Sequence, residues 1–209
     1  MKLINVFLLS LSFMLLFGCN KGAGTFTLEG VITDASFNQP LAGAAVELYG
    51  ISSGNNQYAL VASAVTGEDG KYAFTFDRTR TEKYTLYVKK NQYFEQELEV
   101  YYSQLKLKET NIRNVTTTAK SWVEIKIFNN NAANNDHLQF IRQQGKNGCS
   151  ECCFSGITHL YGFQDTSIFC INDGNSLYSI EYAVFGTSNT GILGVTTTPF
   201  DTTVLNLTY

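Results

Sequence analysis

An all-β fold of two β-sandwich domains is what this sequence predicts, on three observations. Twelve Tyr and fifteen Phe bring aromatics to 13%, while charged residues reach only 16% and there are two Pro. Side chains of that kind, with Val, Ile and Thr, suit a pleated, half-buried surface. Short runs of apolar–polar alternation recur between clusters of Gly, Asn and Asp, the signature of regularly spaced strands. No stretch combines a 3.6-residue apolar period with helix caps. A length of 209 residues suits one or two domains.

In chain order, Met1–Phe17 carries one Lys at position 2, then an apolar run interrupted only by Asn5, Ser10 and Ser12. It is short for a membrane-spanning helix and has the length of a signal-peptide core. The run ends Leu15-Leu16-Phe17-Gly18-Cys19, which resembles the lipobox of bacterial lipoproteins. That resemblance implies cleavage after Gly18, lipid attachment to the Cys19 sulfur, and a cell-envelope address, outer membrane in particular. Several acyl chains, each worth ~0.8 kcal/mol per buried CH₂, make such an anchor effectively permanent. Residues 1–19 thus read as signal and 20–24 as a short tether. Without residues 1–19 the net charge goes from −3 to −4. A mildly acidic chain with no basic run lacks the footprint of nucleic-acid binding.

Residues 25–104 read as the first sandwich, with strands expected at 25–33, 44–50, 57–66, 71–77, 83–90 and 93–102. Alternation is clear in Val46-Glu47-Leu48-Tyr49 and in Tyr84-Thr85-Leu86-Tyr87-Val88. Gly43 and Gly70 sit where a turn requires a backbone that a β-carbon disfavours. The run Gly30-Val31-Ile32-Thr33-Asp34, then Pro40 to Val46, then Thr66 to Phe74, resembles a carboxypeptidase-regulatory-like domain of the transthyretin-like type. The resemblance implies a secreted or outer-membrane module of Bacteroidetes-type envelopes and brings no catalytic residues with it.

Residues 105–119 are polar and read as a connector able to pair at an edge. From Ser121 the texture changes: Trp122-Val123-Glu124-Ile125-Lys126-Ile127 alternates cleanly. Further strands are expected at 138–142, 157–162, 168–171, 177–185 and 203–209. Residues 120–209 make a second sandwich, Ig-like or similar; one extended domain with a single core is the alternative.

Cysteine gives the most concrete chemistry. With Cys19 lipidated, Cys149, Cys152, Cys153 and Cys170 remain, an even number in a chain expected to leave the cytoplasm, which favours two disulfides. Bridging adjacent Cys152 and Cys153 demands a strained peptide, leaving Cys149–Cys152 with Cys153–Cys170, or Cys149–Cys153 with Cys152–Cys170. A zinc site of four Cys, or three with His137 or His159, is the sharper alternative, although such sites usually use two separated pairs. A redox Cys-x-x-Cys usually opens a helix beside a sheet, a context missing here.

His137 and His159, the only histidines, read as structural. Asp136-His137 and Asp173 invite a triad, but no nucleophile elbow accompanies them. There is no zinc-peptidase pair, P-loop or dinucleotide fingerprint. Asp69-Gly70 and Asp173-Gly174-Asn175 read as turns rather than calcium loops. Asp201-Thr202-Thr203 resembles a short O-glycosylation acceptor. No metal or cofactor is implied.

Aromatic side chains are the remaining handle. Tyr58, Tyr84, Tyr87, Tyr93, Phe94, Tyr101, Tyr102 and Trp122 could stack on sugars or anchor a partner, with about half expected to face the cores under strand alternation. Tyr58, Tyr101, Tyr102 and Trp122 are the ligand-binding candidates. The reading is a non-enzymatic, lipid-anchored envelope protein in binding, adhesion or scaffolding, attached to a membrane through Cys19 and engaging a protein or glycan. A carbohydrate-binding accessory of a glycan-uptake system is one alternative, and an envelope metal or redox protein using Cys149–Cys170 is another.

Overall fold

The computed structural model describes residues 24–52, 57–79, 81–130, 135–153 and 155–209. The signal segment, Cys19 and most of the tether lie outside the described residues. The chain is all-β. Its first nine strands are β1 (Thr25–Asp34), β2 (Gln39–Pro40), β3 (Ala45–Ser52), β4 (Tyr58–Val65), β5 (Lys71–Asp77), β6 (Thr81–Lys89), β7 (Gln96–Tyr101), β8 (Thr110–Ile112) and β9 (Val115–Thr117). The remaining seven are β10 (Lys120–Phe128), β11 (His137–Gln144), β12 (Thr158–Tyr161), β13 (Asp165–Asp173), β14 (Leu177–Val184), β15 (Thr190–Thr196) and β16 (Thr202–Thr208).

In the first sandwich one layer is organised on β1, with β5 antiparallel on one side and β8 and β9 parallel on the other. The facing layer runs β4-β3-β6-β7, all antiparallel. Strict alternation drives this pairing. Phe26, Leu28 and Ile32 of β1 and Tyr72, Phe74 and Phe76 of β5 are buried together with Val46 and Leu48 of β3 and Tyr84, Leu86 and Val88 of β6. Gly70 turns with φ +68, and a Cβ there would meet Ile32 O at 2.5 Å.

The polar stretch 105–119 is more than a connector: two of its segments, β8 and β9, complete the first sheet. Once β5 covers one edge of β1, the other edge still carries unpaired backbone groups, and residues 110–117 satisfy them. Asn114 Oδ1 accepts from Val31 N at 3.0 Å, and Asn111 Nδ2 donates to Thr27 O at 3.0 Å. Gly30 permits the approach, since a Cβ there would lie 1.8 Å from Arg113 O.

The second sandwich stacks β13-β10-β16 on β12-β11-β14-β15. β10 is central, antiparallel to β13 and parallel to the C-terminal β16. Val123, Ile125 and Ile127 meet Leu138, Phe140, Tyr178 and Ile180 in its interior. Buried side chains therefore form two clusters rather than one. β15 was not expected from sequence. Its Gly191 and Gly194 weaken the strand signal, yet both sit against β14, where a Cβ would lie 3.3 Å from the Tyr182 ring and 3.3 Å from Ser179.

The two sandwiches meet through specific contacts. Phe200 stacks on Phe37 with ring centroids 6.0 Å apart and meets Tyr93 edge-on at 5.4 Å. Asn175 Nδ2 donates to Ser36 O at 2.8 Å, and Gly174 N to Ala119 O at 2.8 Å. Lys146 Nζ lies 4.2 Å from the Phe94 ring centroid and pairs with Asp173 at 2.8 Å.

Candidate functional site

Of the four aromatic candidates, the structure places two on one face of the first sandwich. Tyr84, Leu86 and Val88 point into the core, so Lys83, Thr85, Tyr87 and Lys89 project from the opposite face of β6. In β7, buried Val100 puts Glu97, Glu99 and Tyr101 on that same outer face. Register aligns Tyr58 of β4 with Ile51 of β3, Ile51 with Lys83, and Lys83 with Tyr101. Tyr58 and Tyr101 thus end one row across four strands, about 14 Å apart at the usual strand spacing. Both are solvent-facing, at 55% and 43% exposure.

Between them, Tyr49 of β3 meets Tyr87 edge-on, ring centroids 5.6 Å apart. Sequence reasoning did not single out Tyr49, although the alternation Val46-Glu47-Leu48-Tyr49 already places it on the polar side. Charged groups frame the rings. Tyr101 Oη donates to Glu99 Oε2 at 2.6 Å, Lys83 pairs with Glu99, and Lys89 lies 3.5 Å from Glu47 and 5.3 Å from the Tyr87 ring centroid. Hydrogen bonding to Glu99 raises the Lys83 ammonium above its usual range and, through Lys83, holds the Glu99 carboxyl below its own. The Tyr101 phenol is raised by its bond to Glu99. Thr85 lies mid-face, fully covered, its Oγ1 without a hydrogen-bond partner among the described residues.

The other candidates go elsewhere. Tyr102 sits in a 3₁₀ turn, edge-on to core residue Phe26 at 5.7 Å, its hydroxyl bonded to Arg78. Trp122 is half-buried on β10, in register with Ile171 and Thr202 of the second sandwich. Tyr84, Tyr93 and Phe94 are buried. Tyr93 Oη donates to the buried Asp34 carboxylate at 2.8 Å, and burial followed by that bond raises its phenol well above the usual tyrosine range.

The cysteines form disulfides, Cys149–Cys152 and Cys153–Cys170, the first of the two pairings open from sequence. Cys170 is buried in the second core, and Cys153 packs against it. The second bridge therefore ties the loop after β11 to β13. Among the described residues, no three His, Cys, Asp or Glu side chains converge on a metal position. Cys149 also borders a cleft of about 630 Å³ between the sandwiches, along with Lys89 to Glu95 and Lys120. The cleft's lysines are engaged, Lys120 with Glu151 at 2.9 Å, Lys89 with Glu47 at 3.5 Å and Lys90 with Ala42 O at 2.7 Å.

His137 and His159 hydrogen-bond each other, Nε2 to Nδ1, at 2.8 Å on the outer face of the β12-β11-β14-β15 sheet. Asp136 instead accepts from Asn129 Nδ2 at 2.9 Å, and Asp173 is held by Thr118 and Lys146. No triad assembles from these residues.

No family model matches the chain, and no curated protein matches it. Among solved structures, the Bacillus anthracis TIE protein is 16% identical, with 89% of this chain and 34% of that one covered at a TM-score of 0.40. The shaft pilin SpaA of Lactobacillus rhamnosus GG is 7% identical over 89% of this chain and 97% of that one, at 0.36. The 3-chlorocatechol 1,2-dioxygenase of Rhodococcus opacus 1CP is 10% identical over 47% and 61%, at 0.35. The chain thus spans less than two thirds of the dioxygenase and about a third of the TIE protein. These are distant likenesses between chains rich in β-structure.

Proposed function

We propose that this chain is a non-catalytic, lipid-anchored protein of the cell envelope, a binding and adhesion accessory whose ligand is carbohydrate. The observation that carries the reading is the outer face of β4-β3-β6-β7, where Tyr58, Tyr49, Tyr87 and Tyr101 stand among Glu47, Glu97, Glu99, Lys83 and Lys89. Tyrosine rings offer apolar faces to the C–H side of a sugar, and carboxylates and ammonium groups hydrogen-bond its hydroxyls. A span of four strands suits an oligosaccharide better than one ring. The lipobox-like Leu16-Phe17-Gly18-Cys19 supports attachment to a membrane, as does the resemblance to a carboxypeptidase-regulatory-like module.

Retention on a polysaccharide panel, compared with a Tyr58→Ala/Tyr101→Ala variant, tests the binding half. Aromatic contacts of about 0.5–1.5 kcal/mol each predict roughly tenfold weaker retention in the double variant, with unchanged thermal stability. Equal retention by both proteins would remove this face from the account. Labelled palmitate tests the anchor: it should enter the native chain and be lost in Cys19→Ala.

A further inference from the structure

The chain has only two histidines, and the fold brings them into contact. His137 lies opposite Tyr161 and His159 opposite Gln139 in the β11–β12 ladder. The pair is therefore diagonal on one sheet face, with His137 Nε2 and His159 Nδ1 2.8 Å apart. His137 is clamped between two rings, Tyr161 at 4.3 Å and 17° and Phe185 at 4.2 Å and 6°. Phe185 is itself placed by its backbone N–H, which donates to His137 O at 2.9 Å. Tyr161 and Phe185 remain 66% and 51% exposed, so the pair is reached directly from solvent.

We propose that His137 and His159 form a two-imidazole site for a divalent first-row transition ion, copper(II) foremost. Metal–imidazole bonds of about 2.0 Å meeting at a right angle place the two nitrogens about 2.8 Å apart, whereas a tetrahedral angle needs about 3.3 Å. The observed 2.8 Å is an in-line hydrogen bond, with the ring centroids 5.0 Å apart, so a turn of exposed His159 is what brings both nitrogens to one ion at the right angle that copper(II) and nickel(II) prefer. Copper(II) also stands at the top of the affinity order for nitrogen ligands. Because no third His, Cys, Asp or Glu converges there among the described residues, the other coordination positions are left to water or an incoming ligand.

Binding replaces the shared hydrogen bond. The proton between the rings moves, through solvent, to the outer nitrogen of the same imidazole, Nδ1 of His137 or Nε2 of His159. Both neutral rings then present a lone pair, and no net proton is released where both are neutral. The ring stack fixes the plane of His137, so exposed His159 turns about Cβ–Cγ to aim its Nδ1. Tyr161 and Phe185 are positioning residues. The site lies on the second sandwich and is independent of the carbohydrate reading.

The test is titration of the untagged chain with copper(II) chloride, followed by calorimetry and electron paramagnetic resonance. The expected result is one equivalent of copper with hyperfine structure from two nitrogens, nickel(II) binding more weakly and magnesium not at all. Loss of even an outer hydrogen-bond partner typically costs about 10–100-fold in metal affinity, so His137→Gln or His159→Gln should each cost at least that and leave one nitrogen coupled. Tyr161→Leu should weaken binding less and keep both nitrogens. The native spectrum decides independently of how the variants fold. Absence of a two-nitrogen signal in the native chain, or copper binding unchanged in both glutamine variants, would overturn the proposal.

Discussion

The two sandwiches solve one problem differently. Among the described residues, seventeen buried side chains form the first core, six of them Phe or Tyr, whereas eleven form the second, with Phe140 and Tyr178 its aromatics. Large aromatic side chains bury the most apolar surface per residue, so the first domain holds its layers by packing. The second carries the Cys153–Cys170 bridge, which fastens a loop at the core's margin to buried Cys170. The difference teaches that, in this chain, covalent closure takes over where aromatic packing thins out.

Reduction gives the largest effect expected from that contrast. A bridge closing a loop of the 17-residue Cys153–Cys170 separation should contribute about 3 kcal/mol. Calorimetry with and without reductant, or on Cys153→Ala/Cys170→Ala, should show the second domain melting earlier and the first unmoved. Equal destabilisation of both domains would mean that the interface around Phe200 makes them one cooperative unit.

Next comes the Tyr93–Asp34 bond at the domain junction. A hydrogen bond to a charged group is worth about 2 kcal/mol, so Tyr93→Phe should lose about that much. The pH sign follows from the raised phenol. The folded state favours neutral Tyr93, so its contribution is whole below the ordinary tyrosine pKa of about 10 and declines as pH rises above it. Denaturant titrations between neutral and alkaline pH should show a shallower decline in Tyr93→Phe than in the native chain.

The smallest effect has the opposite sign. Tyr84 is fully buried, and its hydroxyl has no partner among the described residues. Replacing an unsatisfied buried polar group with an apolar one of similar shape is neutral to favourable. Tyr84→Phe should therefore raise stability by up to about 1 kcal/mol, and a loss in chemical denaturation would show that the hydroxyl is engaged.

How legible all this was in the sequence depended on the range of the interaction. Strands with clean alternation, such as Tyr84 to Val88 and Trp122 to Ile127, could be placed because the period of two is local. β8 and β9 could not, because Thr- and Asn-rich segments pair with β1 through contacts 83 or 84 residues apart. β15 was hidden by Gly191 and Gly194, whose value appears only against Tyr182 and Ser179. The cysteine count favoured two bridges over a metal site, but which of two pairings forms depends on where β13 carries Cys170. Tyr58 and Tyr101 were identifiable as aromatics, yet their shared row, and Tyr49 within it, required the register of four strands. The His137–His159 contact likewise depends on the β11–β12 pairing.

The most direct test of the central claim is hydroxyl-radical footprinting of the chain with and without a polysaccharide that retains it. The account predicts protection of Tyr58, Tyr87 and Tyr101 on the first sandwich, with Tyr161 on the second equally reactive in both states. Protection at Tyr161 and Phe185 with none at Tyr58 and Tyr101 would contradict it and move the binding surface to the other domain.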